Sequence, residues 1–178
     1  MQRRTRDSRP VRALVVAGAY LAGLWLAPPS LIVFTALLGL LLVALAWIDL
    51  DEFRLPDLLT LSVAILGALM VFLTWQDLFV WHILAGGLGF LWLLAVEIGY
   101  RRLRGRDGLG RGDVKLFGAL GIWVGLMGLP FMLLIGSASG LIWAVLTGRT
   151  AQADGRIAFG PWICLGGWVV WCLQGRWM

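Results

Sequence analysis

LIVFTALLGLLLVALAWI, Leu31 to Ile48, carries no charge along its length and stops at Asp49. At about 1.5 Å of rise per residue, a helix of this run is about long enough to cross a bilayer core of roughly 30 Å. A backbone in that medium must satisfy its own hydrogen bonds, and one uninterrupted helix does so. The rest of the chain repeats the pattern. With 60% hydrophobic residues, 14% charged residues and 11 Trp in 178 residues, too little polar surface remains to cover a soluble globule.

Six further apolar runs surround it: Ala13 to Ala27, Leu58 to Trp75, Leu78 to Tyr100, Leu116 to Met127, Phe131 to Leu146 and Ile157 to Leu173. The expected fold is therefore all-α, a polytopic membrane helical bundle of about seven transmembrane segments in a single domain, residues 1–178. The number falls to six if Leu116 to Leu146 is one kinked or re-entrant element, since Leu116 to Met127 spans only ~20 Å as a helix. A tight turn is expected at Gly128-Leu129-Pro130. The first run resembles a signal peptide in its basic start, but Pro28-Pro29-Ser30 leads straight into the next run, so a retained span is expected.

The basic residues lie between these runs. Residues 1–12 form a basic N-terminal segment, and residues 101–113 form a basic loop that is expected to rest against anionic headgroups. With the N-terminus in the cytoplasm and seven spans, 14 of the 15 Lys and Arg residues fall on the cytoplasmic side, leaving Arg176 outside. That asymmetry follows the positive-inside rule and removes the reason to invoke nucleic acid for the net charge of +5. Cys164 and Cys172 share one run, with no C-x-x-C pair and no zinc-ligand spacing, so no metal or cofactor is expected and both read as packing residues.

Acids at the ends of membrane spans are costly and mark functional sites by default. Asp49 ends the run quoted above, and Asp113 follows Gly110-Arg111-Gly112 at the start of another. The same topology puts both at the cytoplasmic face. Two such carboxylates can share one proton, so that one acts as base on a water while the other hydrogen-bonds the oxygen that becomes negative, which is aspartic protease chemistry. Asp51 and Glu52 extend the acidic stretch. Asp57, after Pro56, is expected to cap the next helix and complement its dipole. His82 is expected at the interface beside Trp81, and Glu97 to snorkel or pair with a nearby Arg. Gly118, Gly121, Gly125 and the stretch from Gly136 to Gly140 supply small residues for close helix packing.

Ile48-Asp49 through Pro56-Asp57-Leu-Leu-Thr60, Gly110-Arg-Gly-Asp113-Val-Lys115-Leu and Ala158-Phe159-Gly160-Pro161 resemble, in order and position, the three signature regions of the bacterial type IV prepilin peptidases, GxGD membrane aspartic peptidases. The resemblance covers nearly the whole chain from about Leu31. It implies cleavage of the short, basic, glycine-ended leader of type IV prepilins or pseudopilins at the cytoplasmic face of the bacterial inner membrane. Asp49 and Asp113 are the implied catalytic pair, with Gly110, Gly112, Lys115, Asp51, Glu52 and Asp57 supporting or binding substrate. The expected partners are a prepilin or pseudopilin and membrane lipids. Many relatives carry a cytoplasmic domain with two C-x-x-C pairs associated with N-methylation. The chain is expected to be a short form without it, to cleave without methylating, and to take any methylation from a second, cysteine-rich chain. Competing readings are a presenilin-like or signal-peptide-peptidase-like protease, which leaves the Leu55-Pro56-Asp57 and Phe159-Gly160-Pro161 stretches unexplained, and a transporter or assembly subunit.

Overall fold

In the computed structural model, which describes residues 18, 20–21, 23–26, 29–105, 109–146 and 158–174, the regular structure is helical. Helix α1 is Ile32–Glu52, α2 Asp57–Thr74, α3 Phe79–Arg104, α4 Arg111–Leu146 and α5 Gly160–Gln174, with short 3-10 turns at Pro29–Leu31 and Gln76–Leu78. The first four are long and apolar enough to cross a membrane, which makes this a polytopic membrane protein. Their outward residues, such as Ile65, Leu84, Leu134 and Leu141, are large, apolar and exposed, as helices facing lipid require. The expected segment 1–12 lies outside the described residues, and the described positions from 18 to 26 are helical. There Tyr20 stacks on Trp168 and its hydroxyl donates to the Ala36 carbonyl at 3.2 Å.

Helix α4 is two limbs rather than one rod. Gly125 breaks it with φ 66° and ψ 179°, a conformation open to glycine because it has no Cβ. A β-carbon built at Gly167 on α5 would touch Leu120 of the first limb, whereas ones built at Gly136 and Gly140 would touch Trp162, nearer the start of α5. The second limb therefore runs back along α5. The contact between Gly121 and Leu129 across the break shows the same reversal. A two-limbed reading was expected, but the turn is displaced: the break is at Gly125, and Gly128, Leu129 and Pro130 lie inside the returning helical limb.

The reversal strips carbonyls of their helical partners, and neighbouring helices replace them. His82 of α3 donates from Nδ1 to the Ile122 carbonyl at 2.7 Å, and Gln174 Nε2 donates to Val124 at 2.8 Å. His82 is buried, so its expected place at the interface is corrected to a carbonyl cap inside the bundle.

The first limb of α4 is the centre of the bundle, with Leu116, Leu120 and Trp123 fully buried. It packs on α2, α3 and α5, and Trp123 Nε1 donates to the Val63 carbonyl at 2.9 Å. Gly86 and Gly118 face each other so closely that a β-carbon built at either would lie within about 3 Å of the other's carbonyl oxygen. That is the close approach the small residues were expected to provide. One sequence boundary also moves. Helix α3 runs past Tyr100 to Arg104, with Arg101, Arg102 and Arg104 complementing the dipole of its last turn, and Gly105 caps it at φ 66°. The hydrophilic connection expected at 101–113 is thus helical at both ends, with α4 already begun at Arg111.

Candidate active site

Asp49 and Asp113 stand at the same end of the bundle, and each is held by a backbone N–H at the start of a helix. Asp113 is the third residue of α4. Its own N–H and that of Val114 donate to the Gly110 carbonyl at 3.1 and 3.3 Å, and Gly110 N–H donates to Asp113 Oδ2 at 3.3 Å. This is half of a capping box, in which the acid at the third helical position reaches back to the cap residue. G-x-G-D is therefore a self-contained turn that fixes its own carboxylate.

Asp49 lies in the last turn of α1, whose helix continues to Glu52 before Phe53 takes a left-handed cap conformation and donates its N–H to the Asp49 carbonyl at 3.0 Å. The Asp49 side chain is held from far along the sequence: Gly160 N–H, at the start of α5, donates to Oδ2 at 3.1 Å. Such N-terminal N–H groups have no partner within their own helix and carry the positive end of its dipole, which suits a carboxylate. Two helix starts, of α4 and α5, thus converge on two acids.

Both carboxylates are buried, at 5% and 8% exposure, and lie within electrostatic reach of each other. Leu55 joins their surroundings. A β-carbon built at Gly112 would come 3.3 Å from Leu55 Cδ1, and one built at Gly160 would come 3.2 Å from the same methyl. Cys164, one turn into α5, is buried in the apolar core, as its reading as a packing residue expected. Leu55, Leu109 and Phe159 are half-buried and pack on the apolar core around this end.

The other named residues separate into two groups. Helical geometry turns Asp51 about 200° from Asp49, and Asp51 and Glu52 are exposed. Asp57 opens α2 but makes no side-chain cap; it pairs with Lys115 Nζ at 2.7 Å, on the exposed edge of the site. The expected cap is thus corrected to an ion pair between α2 and α4, though the favourable dipole position stands. Glu97 is 2% exposed, its Oε1 3.8 Å from Arg101 Nη1, as the pairing reading expected. Among the described residues no cluster of His, Cys, Asp and Glu has the makings of a metal site.

Gly160 and Leu55 were not singled out as site residues in the sequence. A glycine before a proline at a helix start does announce free N–H donors, but nothing in it names the acid 111 residues away that receives one.

The Type IV leader peptidase family profile matches residues 36–145, which include both acids. A prepilin leader peptidase/N-methyltransferase of Pectobacterium carotovorum subsp. carotovorum is 37% identical over 163 residues, covering 89% of this chain and 58% of that protein. Proteins of the same name from Dickeya chrysanthemi and Aeromonas salmonicida (strain A449) are 39% and 34% identical, over 74% and 75% of this chain and 49% and 46% of theirs. The chain spans about half the length of the curated relatives it matches. No solved structure matches the chain.

Proposed function

The chain belongs to the type IV leader peptidase family, and on that premise we propose that it is a membrane aspartic endopeptidase that cuts the leader from type IV prepilins or pseudopilins. The observation that carries the reading is the pair of buried acids, Asp49 and Asp113, each held through Oδ2 by a glycine N–H at a helix start. One carboxylate takes a proton from water as the oxygen attacks the peptide carbonyl; its protonated partner donates to the carbonyl oxygen as charge develops there. The leaving amine then takes a proton from the pair. In an apolar site the two acids hold one proton between them, because two adjacent negative charges are costly.

Gly110 and Gly112 shape the turn that carries Asp113. Asp51 and Glu52, exposed at the same end, attract a basic leader. Asp57 and Lys115 brace α2 against α4. The reversal at Gly125 supports a seven-span reading in which the ends near Asp49, Asp113 and Gly160 face the cytoplasm of a bacterial inner membrane, with the α3 arginines against anionic lipid. Cysteines introduced at Gln76 and Gly105 in a Cys-free background test that orientation. Impermeant thiol reagents outside intact cells should label the first and spare the second, and the opposite pattern would invert the topology.

The direct test is incubation of the purified protein in bilayer or detergent with a prepilin. Mass spectrometry should show the mature chain and the released leader. Intact precursor at the end, with a positive control peptidase cutting the same preparation, would overturn the reading.

A further inference from the structure

Two helices present the same stripe to one cleft. Asp57, Thr60 and Ala64 line it from α2, and Lys115, Gly118 and Ile122 line it from α4, so positions i, i+3 and i+7 repeat on both. The two helices run the same way: the Asp57 and Lys115 contact joins their first turns, and Trp123 donates to the Val63 carbonyl further along. Each stripe therefore starts at a charged, exposed side chain and ends about 10 Å deeper along its helix. Gly86 and Phe90 of α3 form the back wall of the cleft, whose volume is about 410 Å³.

This cleft is separate from the acid pair. Gly118 and Ile122 stand about 140° and 180° round α4 from Asp113, so the cleft lies on the face turned away from that carboxylate. It lies among spans apolar enough to cross a membrane, and exposed Leu61 stands at its rim. An occupant reaching it from the bilayer is apolar over this depth. The hydrocarbon of one leaflet is about 15 Å deep, so a cleft of about 10 Å takes the upper part of one acyl chain.

The mouth adds a second requirement. Lys115 Nζ gives one of its three hydrogens to Asp57 Oδ1 at 2.7 Å, which leaves donors on the ammonium and Oδ2 on the carboxylate with capacity for a ligand. Exposed Arg111, one turn before Lys115, adds a guanidinium on the same side of α4. A phosphate suits the two cations, and a primary ammonium suits Asp57. Because the ion pair is exposed, sharing it with a ligand costs little.

We propose that this cleft is a phospholipid site selective for a zwitterionic headgroup with a primary ammonium, as in phosphatidylethanolamine. One acyl chain lies between α2 and α4 against Phe90, with the phosphate at Lys115 and the ammonium at Asp57. Phosphatidylglycerol offers Asp57 no cation, and phosphatidylcholine offers it no N–H. The site needs only membrane insertion and stands independently of the peptidase reading.

The test uses the full chain in detergent with a phosphatidylethanolamine that carries a diazirine midway along one acyl chain. After irradiation, peptide mass spectrometry should place the adduct on Leu61, Ala64, Phe90 or Ile122. Unlabelled phosphatidylethanolamine should displace the probe at a concentration about 2- to 10-fold below that needed for phosphatidylglycerol or phosphatidylcholine, the range of one hydrogen bond. Asp57→Asn and Lys115→Gln should each flatten that preference while the cleft is still labelled. Ala64→Phe fills the cleft and should abolish its labelling; Leu61→Trp narrows the rim and should reduce it, which serves if the first variant does not fold. Adducts only elsewhere, or phosphatidylglycerol competing as well as phosphatidylethanolamine, overturn the proposal. Displacement of the probe by a prepilin but by no lipid would give the cleft to the substrate and overturn it too.

Discussion

The two acids are buried to similar depth and each takes one glycine N–H, yet they are held in different ways. Asp113 is bound by Gly110, three residues away, within its own turn. Asp49 is bound by Gly160, 111 residues away, and loses that bond if α5 shifts. One half of the site is local, and the other exists only in the assembled bundle. Damage to the packing of α5 should therefore act on Asp49, and damage to the turn should act on Asp113.

The largest effect expected is from removing either acid. Asp49→Asn and Asp113→Asn keep the shape and remove half of the acid–base pair, so prepilin cleavage should fall by about 10²- to 10⁴-fold or below detection, with the protein still in the membrane. Combining them should cost little more than one alone, because the pair acts as a unit. If Asp51→Asn abolishes cleavage and Asp49→Asn does not, the wrong acid of the α1 end has been chosen.

Next come the supports, and here the comparison can be broken. Gly160→Ala places a carbon 2.6 Å from Asp49 Oδ2 and 3.2 Å from Leu55 Cδ1, between groups fixed by two helices. One of them must move, and a shift near 1 Å at a catalytic group costs on the order of 100-fold in kcat. Gly110→Ala brings its carbon no closer than 3.0 Å to Asp113 Oδ2, and Gly110 is exposed. The turn can adjust, so a loss of about tenfold or less is expected. Equal losses from the two alanines would erase the distinction between a local and an assembled half.

The same distinction explains what the sequence disclosed. The GxGD turn was legible because its chemistry is contained in four adjacent residues, and the spans were legible because apolar runs such as Leu31 to Ile48 need no tertiary information. The boundary at Arg101 was misplaced because arginines with apolar stems can continue a helix into the headgroup region, where charge no longer signals a loop. The turn at Gly125 was hidden among other glycines and beside a proline that looked like the better breaker. Its partners, His82 and Gln174, come from different helices. Gly160 was hidden for a further reason: an N–H donor becomes visible only when the acid that it serves is in place.

A smaller effect is expected from the exposed acids. Neutralising Asp51 and Glu52 together should raise KM for a basic-leader prepilin by a few-fold at low salt and leave kcat alone, because long-range attraction is screened beyond roughly 8 to 10 Å at physiological ionic strength. An unchanged KM at low salt would leave them as a solvated helix end.

The smallest effect belongs to the remaining ion pair, and it sharpens the contrast from the other side. Lys115 and Asp57 meet at 2.7 Å, a shorter separation than the 3.8 Å between exposed Arg101 and buried Glu97, and their side chains are 45% and 74% exposed. Exposed pairs contribute about 0 to 1 kcal/mol, because water and salt screen them and two long side chains must be ordered. Lys115→Gln should therefore shift unfolding by less than ~1 kcal/mol, and Asp57→Asn should add almost nothing to it in the double variant. Cleavage should stay within a few-fold, since the pair braces α2 on α4 at an edge and the α4 turn holds Asp113 without it. If Lys115→Gln instead lowers kcat as far as an alanine at Gly160 does, while the protein unfolds at the same temperature, then Lys115 acts on the substrate, and the local half of the site is larger than the turn.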